Sequence, residues 1–97
     1  MDQETLTKEV CWYLYILRCG DGSLYTGITT DVERRLRAHR KGMGAKYTRG
    51  RGPLELCYRE RCGTHSQALR RELEVKALPR EKKEALCGER LIVNEKC

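Results

Sequence analysis

The chain has no phenylalanine and a single tryptophan among its 97 residues. Large apolar side chains are scarce, and the length supports one domain with a small core. A second domain does not fit. There is no C-x-x-C pair: Cys11, Cys19, Cys57, Cys62, Cys87 and Cys97 are scattered, and the two histidines, His39 and His65, do not stand at zinc-finger spacing. A structural zinc site is therefore not expected. No apolar run approaches membrane-spanning length. The acidic N-terminus lacks the apolar stretch of a secretory signal. The expectation is a reduced, cytoplasmic protein with free thiols. Internal repeats and low-complexity segments are also missing.

Acidic residues are missing from one stretch in particular. The chain carries 20 Lys+Arg against 14 Asp+Glu, a net charge of +6. Between Arg34 and Arg51 stand Arg34, Arg35, Arg37, Arg40, Lys41, Lys46, Arg49 and Arg51, with no acid. Such a concentration favours a polyanion, most simply a nucleic-acid backbone. The plainer reading is a solvated basic face.

Periodicity and turn chemistry predict an α+β domain of order β-β-α-β-α-α. Trp12 to Arg18 and Leu24 to Ile28 read as strands around a Gly20-Asp21-Gly22 turn. Thr30-Asp31-Val32-Glu33 has the form of a capping box opening a helix to about Lys41, where Gly42 and Gly44 stop it. Gly44 to Gly52 is a basic loop. Leu54 to Arg59 alternates Leu54, Leu56 and Tyr58 against Glu55, Cys57 and Arg59, a third strand. Ser66 is expected to cap a second helix to about Leu78. Pro79 suits the first turn of a third, Arg80 to Glu89. The domain is placed at 11–90, with tails at 1–10 and 91–97.

Three placements suggest a site. Tyr15 and Tyr25 share a sheet face only if the hairpin pairs odd positions with odd. A two-residue Asp21-Gly22 turn would pair 18 with 25 and split them. A three-residue loop with Gly22 left-handed pairs 17 with 25 and sets Gly27 opposite Tyr15, leaving space above that ring. Strand packing is the bland alternative for both tyrosines. On the first helix Val32, Leu36 and Met43 form an apolar stripe, and Arg35 and His39 fall on or beside it. A snorkelling arginine and a satisfied histidine are the alternatives there. On the second helix Glu72 falls within an arc of Val75, Ala68, Leu69 and Leu73. An inward carboxylate needs a partner, either a metal or an ion pair with Lys76.

These residues together resemble the GIY-YIG nuclease superfamily, in particular its small stand-alone proteins and more distantly the N-terminal nuclease domain of UvrC. Tyr13-Leu14-Tyr15 stands for Gly-Ile-Tyr and Tyr25-Thr26-Gly27 for Tyr-Ile-Gly. Arg35 matches the family arginine, His39 a histidine of many members, and Glu72, in Glu72-Leu73-Glu74-Val75-Lys76, the metal-binding glutamate. The match runs from about Trp12 to Leu86. Tyr13 departs from the motif's first glycine. The asparagine that many members carry after the glutamate helix is not evident, and Lys82 and Lys83 lie in that region.

The resemblance implies a three-stranded antiparallel sheet flanked by helices. It also implies divalent-metal-dependent hydrolysis of phosphodiesters, DNA first, in branched or single-stranded form and in repair or processing. Mg²⁺ or Mn²⁺ on Glu72 is the expected cofactor, because one carboxylate is enough for an ion that keeps its waters. Tyr15, Tyr25, Arg35, His39 and Glu72 are the candidate catalytic residues. Arg34, Lys46, Tyr47, Thr48, Arg49 and Arg51 are candidate nucleic-acid contacts. The alternatives are a non-catalytic nucleic-acid-binding module, or an interaction subunit whose basic face docks an acidic protein partner.

Overall fold

The computed structural model describes residues 10–88. Apart from Val10, the expected tails lie outside these residues, as does the expected last residue of the third helix, Glu89. Strands β1 (Trp12–Arg18), β2 (Leu24–Thr29) and β3 (Glu55–Gly63) alternate with helices α1 (Val32–Arg40), α2 (His65–Lys76) and α3 (Arg80–Gly88) in the order β1-β2-α1-β3-α2-α3. The sheet is antiparallel with β1 in the centre, β2-β1-β3. Both the fold class and the element order match the sequence expectation. No helix among the described residues is long and apolar enough to cross a membrane.

The central strand is buried on both faces, and its alternation supplies two cores. Leu14 and Ile16 point to one side, where Tyr58, Val75 of α2 and Leu86 of α3 meet them. Tyr15 and Leu17 point to the other, where Val32 of α1 closes over them. The sheet is thus a middle layer, with α1 on one face and α2 and α3 on the other. Leu14, Ile16 and Leu17 are fully buried. Each such side chain contributes about 1.5–3 kcal/mol, which a core this small cannot spare.

The hairpin has the odd-with-odd register. Leu17 pairs with Tyr25 and Tyr15 with Gly27. The loop closes by Cys19 N–H donating to Ser23 C=O and Gly22 N–H to Cys19 C=O, both at 2.9 Å. Gly22 sits at φ 87°, a region L side chains rarely adopt.

Four local expectations are corrected. Asp31, not Thr30, caps α1: its carboxylate accepts from Arg34 N–H at 3.1 Å. A charged acceptor beside the positive end of the helix outcompetes the neighbouring hydroxyl. Thr64, not Ser66, caps α2. Gln67 is its reciprocal partner, donating N–H to Thr64 Oγ1 at 3.1 Å and accepting Thr64 N–H at 2.9 Å. Ser66 has Leu69 three positions on and cannot make that exchange. The third strand runs on to Gly63, with a register shift where Ile16 pairs Tyr58 but Leu17 pairs Leu56. The bulge breaks the expected alternation, so Leu56 joins the Tyr15 core and Tyr58 the opposite one. Finally, Met43 lies beyond α1 and is 72% exposed, so it forms no part of the α1 stripe.

Candidate active site

Tyr15 is the centre of the α1 face. Its ring lies over Gly27 on the paired strand: a Cβ built at Gly27 would stand 2.6 Å from Tyr15 Oη and 2.7 Å from Cζ. The space expected above the tyrosine is filled by its own ring. Tyr15 is 1% exposed. Burial pushes its phenol up to about 12, the Arg35 guanidinium draws it back, and the neighbouring Tyr25 pushes it up again.

The four residues expected on this face are brought together. Tyr15 Oη stands 2.9 Å from His39 Nε2. The rings of Tyr15, Tyr25 and His39 form a triangle with centroids 6.2, 5.8 and 5.2 Å apart. His39 is buried, and burial together with the positive Arg35 lowers its pKa below the ordinary value, so it is neutral at pH 7. Arg35 is half-buried, with Nη2 donating to Gly44 C=O at 3.4 Å. It also lines an open cleft of about 260 Å³ with Thr29, Thr30, Asp31, Arg34 and Ala38. A guanidinium that reaches both a buried phenol and a surface cleft can hold an anion at the site's mouth.

The basic loop divides into an inner and an outer set. Lys46, Tyr47 and Arg49 are exposed, as is Arg34 on α1. Tyr47 stacks on Tyr25 at 5.8 Å and 29°, and the Arg51 guanidinium lies 4.4 Å from its centroid, so an aromatic series leads from the surface into the site. Thr48 is the correction. It is 2% exposed, and its Oγ1 lies 2.8 Å from His39 Nδ1, so its hydroxyl faces the histidine and not a ligand. Arg51 is already engaged, with Asp21 at 2.5 Å and with Tyr47 C=O at 2.7 Å. Thr48's place was hidden because a threonine between basic residues reads as a phosphate contact. The nearest sequence signal is the small pair Gly44-Ala45, which lets the loop close on His39.

Glu72 belongs to α2, which packs through Val75 against Leu14 and Ile16, and it makes no hydrogen bond to Tyr15, Tyr25, Arg35 or His39. Its carboxylate is 17% exposed and pairs with Lys76 Nζ at 3.0 Å. The expected arc is also reduced: Leu69 and Leu73 are 42% and 70% exposed, and only Ala68 and Val75 are buried. Among the described residues no group of three or more His, Cys, Asp or Glu converges on a cation position. A hard cation that keeps most of its waters needs only one carboxylate, and the sheltered oxygens of Glu72 fit that role with Lys76 as competitor.

The match to known proteins follows the same residues. The model of the GIY-YIG catalytic domain matches residues 11–85. A UPF0213 protein of Haloquadratum walsbyi is 55% identical over 83 residues, covering 86% of this chain and 93% of its own. One from Klebsiella pneumoniae is 54% identical over 77 residues, 79% of this chain and 73% of its own. The solution structure of a UPF0213 protein from Bacillus halodurans aligns at 55% identity and TM-score 0.51, over 78% of this chain and 81% of that one. A protein from E. faecalis aligns at 44% identity and TM-score 0.55, over 77% and 80%. The match spans both motif strands, Arg35, His39 and Glu72, and the chain belongs to the GIY-YIG domain family.

Proposed function

We propose that this protein hydrolyses phosphodiester bonds of nucleic acid, DNA first, using Tyr15, Tyr25, Arg35 and His39 as the reacting site. The observation that carries the reading is the buried phenol–imidazole contact of Tyr15 and His39 beside Arg35. Ordinary strand packing does not require a neutral histidine against a tyrosine hydroxyl at 2.9 Å.

Ionising a phenol held at about 12 costs about 7 kcal/mol at pH 7, so a standing phenolate is not the base. A relay avoids that species. Tyr15 Oη takes the proton of an attacking water while its own proton passes to His39 Nε2, and the hydroxide oxygen attacks phosphorus. The imidazolium hands its proton back to Tyr15 through the same contact as Tyr15 releases one, and the departing oxygen takes up a proton from solvent, so the water's hydrogen is balanced and both residues are restored. Arg35 holds the phosphate and offsets the charge that builds up there. Burial is the larger cause of the histidine's lowered pKa, and that contact offsets the smaller one, the Arg35 charge, so substrate binding makes His39 a better acceptor. Glu72 would hold Mg²⁺ or Mn²⁺, which supplies stabilisation of the leaving oxygen when bound. Lys46 and Arg49 track the backbone without reading sequence.

The test uses purified protein with single-stranded, duplex and branched oligonucleotides, in Mg²⁺, Mn²⁺ or EDTA. Metal-dependent cleavage that vanishes in Glu72→Ala, with binding retained, is the expected outcome. Equal background cleavage in both proteins rejects it. The Glu72–Lys76 ion pair favours a second reading, a binding module without turnover. Its signature is salt-dependent, metal-independent binding with no cleavage under any condition.

A further inference from the structure

We propose that Thr48 is a positioning residue that fixes the tautomer of His39, holding the proton on Nδ1 so that Nε2 faces Tyr15 as an acceptor. The inference rests on the reading of Tyr15 and His39 as the proton-transfer pair.

The direction follows from donor and acceptor accounting. Thr48 Oγ1 lies 3.1 Å from Ala45 C=O and 2.8 Å from His39 Nδ1. A carbonyl oxygen only accepts, so the Thr48–Ala45 side-chain bond is made only by spending the single hydroxyl hydrogen of Thr48 on it, at a carbonyl that also accepts Thr48 N–H at 3.2 Å. With the hydrogen committed there, the hydroxyl oxygen accepts and the hydrogen in the contact with the ring comes from Nδ1. With Nδ1 protonated in a neutral ring, Nε2 carries a lone pair, 2.9 Å from Tyr15 Oη. The result is one chain of donors in one direction: Tyr15 to His39 to Thr48 to the Ala45 carbonyl. The other tautomer turns Nε2–H towards Tyr15 and leaves the phenol proton with no route into the imidazole.

The fit of the loop supports the assignment. A Cβ at Gly44 would stand 2.4 Å from His39 Nδ1, so the backbone reaches the ring only because that residue is glycine. The groups facing His39 are Tyr15 from β1, Tyr25 from β2, Arg35 from its own helix, and Thr48 from the loop. Thr48 alone among them touches Nδ1. A cavity of about 120 Å³, lined in part by His39, Thr48 and Leu54, adjoins the contact. Truncation to alanine would open onto it and admit a water in place of the hydroxyl, so valine, which keeps the shape, is the diagnostic change.

The test is the ¹⁵N spectrum of the imidazoles in the full chain, which has only two histidines, with His39→Gln used for assignment. At pH 7.5 the wild type is expected to show Nδ1 protonated and Nε2 bare at His39. Thr48→Ser is expected to keep that pattern, and Thr48→Val to lose it. Where cleavage is measurable, Thr48→Val should lower kcat about ten- to hundred-fold with KM little changed, and Thr48→Ser should restore it. A wild-type ring with Nε2 protonated overturns the proposal. So does a folded Thr48→Val protein whose His39 keeps Nδ1–H. If Thr48→Val does not fold, the wild-type tautomer and its retention in Thr48→Ser decide the matter. The spectra need no turnover, so a chain that cleaves nothing but shows the expected tautomers rejects the proposed hydrolysis and leaves this assignment standing.

Discussion

Replacing Gly27 by alanine should damage the protein far more than one methyl group suggests. The new Cβ would stand 2.6 Å from Tyr15 Oη, 2.7 Å from Cζ and 3.1 Å from Cε1. The ring has little room to move, because Leu17 and Val32 pack with it and it is 1% exposed. Overpacking of this kind costs about 1–3 kcal/mol. Displacing the ring also breaks the Tyr15–His39 bond, about 1 kcal/mol more. The lower chain entropy of unfolded alanine returns about 0.5 kcal/mol. The net loss is about 1.5–3.5 kcal/mol, or about 6–28 °C in melting temperature for a domain of this size. Thermal and urea unfolding measure it directly. Gly88→Ala, where nothing lies within 4 Å of the added carbon, is the control and should change stability by less than about 0.5 kcal/mol. A double-mutant cycle identifies the cause. In a Tyr15→Leu background, with the ring atoms gone, Gly27→Ala should cost less than about 0.5 kcal/mol. A Gly27→Ala protein that melts within a few degrees of wild type refutes the reasoning. So does a full penalty that persists beside Leu at position 15.

Acid sensitivity should trace to two surface carboxylates. Asp21 is held at about 2, first by the hydroxyl and amide of Ser23, with Arg51 adding to it, and Glu84 is held at about 2 by Arg18 and then Arg80. Both folded values lie below the unfolded ones, so the stabilisation is complete above about pH 5 and is lost as pH falls towards 2. Urea midpoints measured across that window should fall in the wild type and fall less steeply in Asp21→Asn and Glu84→Gln; identical slopes would exclude these groups as the cause. In nucleic-acid binding, Lys46→Ala and Arg49→Ala should each reduce the slope of log K against log salt by about 0.9 on duplex DNA. Arg51→Ala should instead lower the melting temperature, since its guanidinium is committed to Asp21 and the Tyr47 carbonyl. A salt slope unchanged in all three variants would remove the loop from the binding surface.

The parts of the fold that could be read in advance were those set by parity and period. Loop length decides which hairpin residues share a face, so Tyr15 and Tyr25 could be placed together once Gly22 was assigned to the left-handed position. Helical spacing carried Arg35 and His39 to the same side. The bulge after Ile16 and Tyr58 left no mark, because one extra residue between apolar positions looks like simple alternation until the partner strand is known. Helical period turns Glu72 inward, and its carboxylate is sheltered and paired with Lys76, but period within one helix does not specify which sheet residues it faces. Thr48 was misplaced for a related reason: its role depends on a contact nine residues back, with His39, across a loop whose path no local rule specifies.

The loop between α1 and β3 is fastened along its length. Arg35 holds the Gly44 carbonyl, His39 meets Thr48, Asp21 holds Arg51, Gly20 N–H bonds the Arg51 carbonyl at 2.6 Å, and Arg40 holds the Leu54 carbonyl at 3.1 Å. Lys46 and Arg49 therefore project from a mount that is already preorganised, and little backbone entropy is lost when a strand arrives. Association should then be governed by electrostatic steering and not by a conformational search, with a fast, salt-sensitive on-rate and single-exponential kinetics. Untying the Asp21–Arg51 end would convert the same residues into a flexible arm, slower to engage although its charge is unchanged.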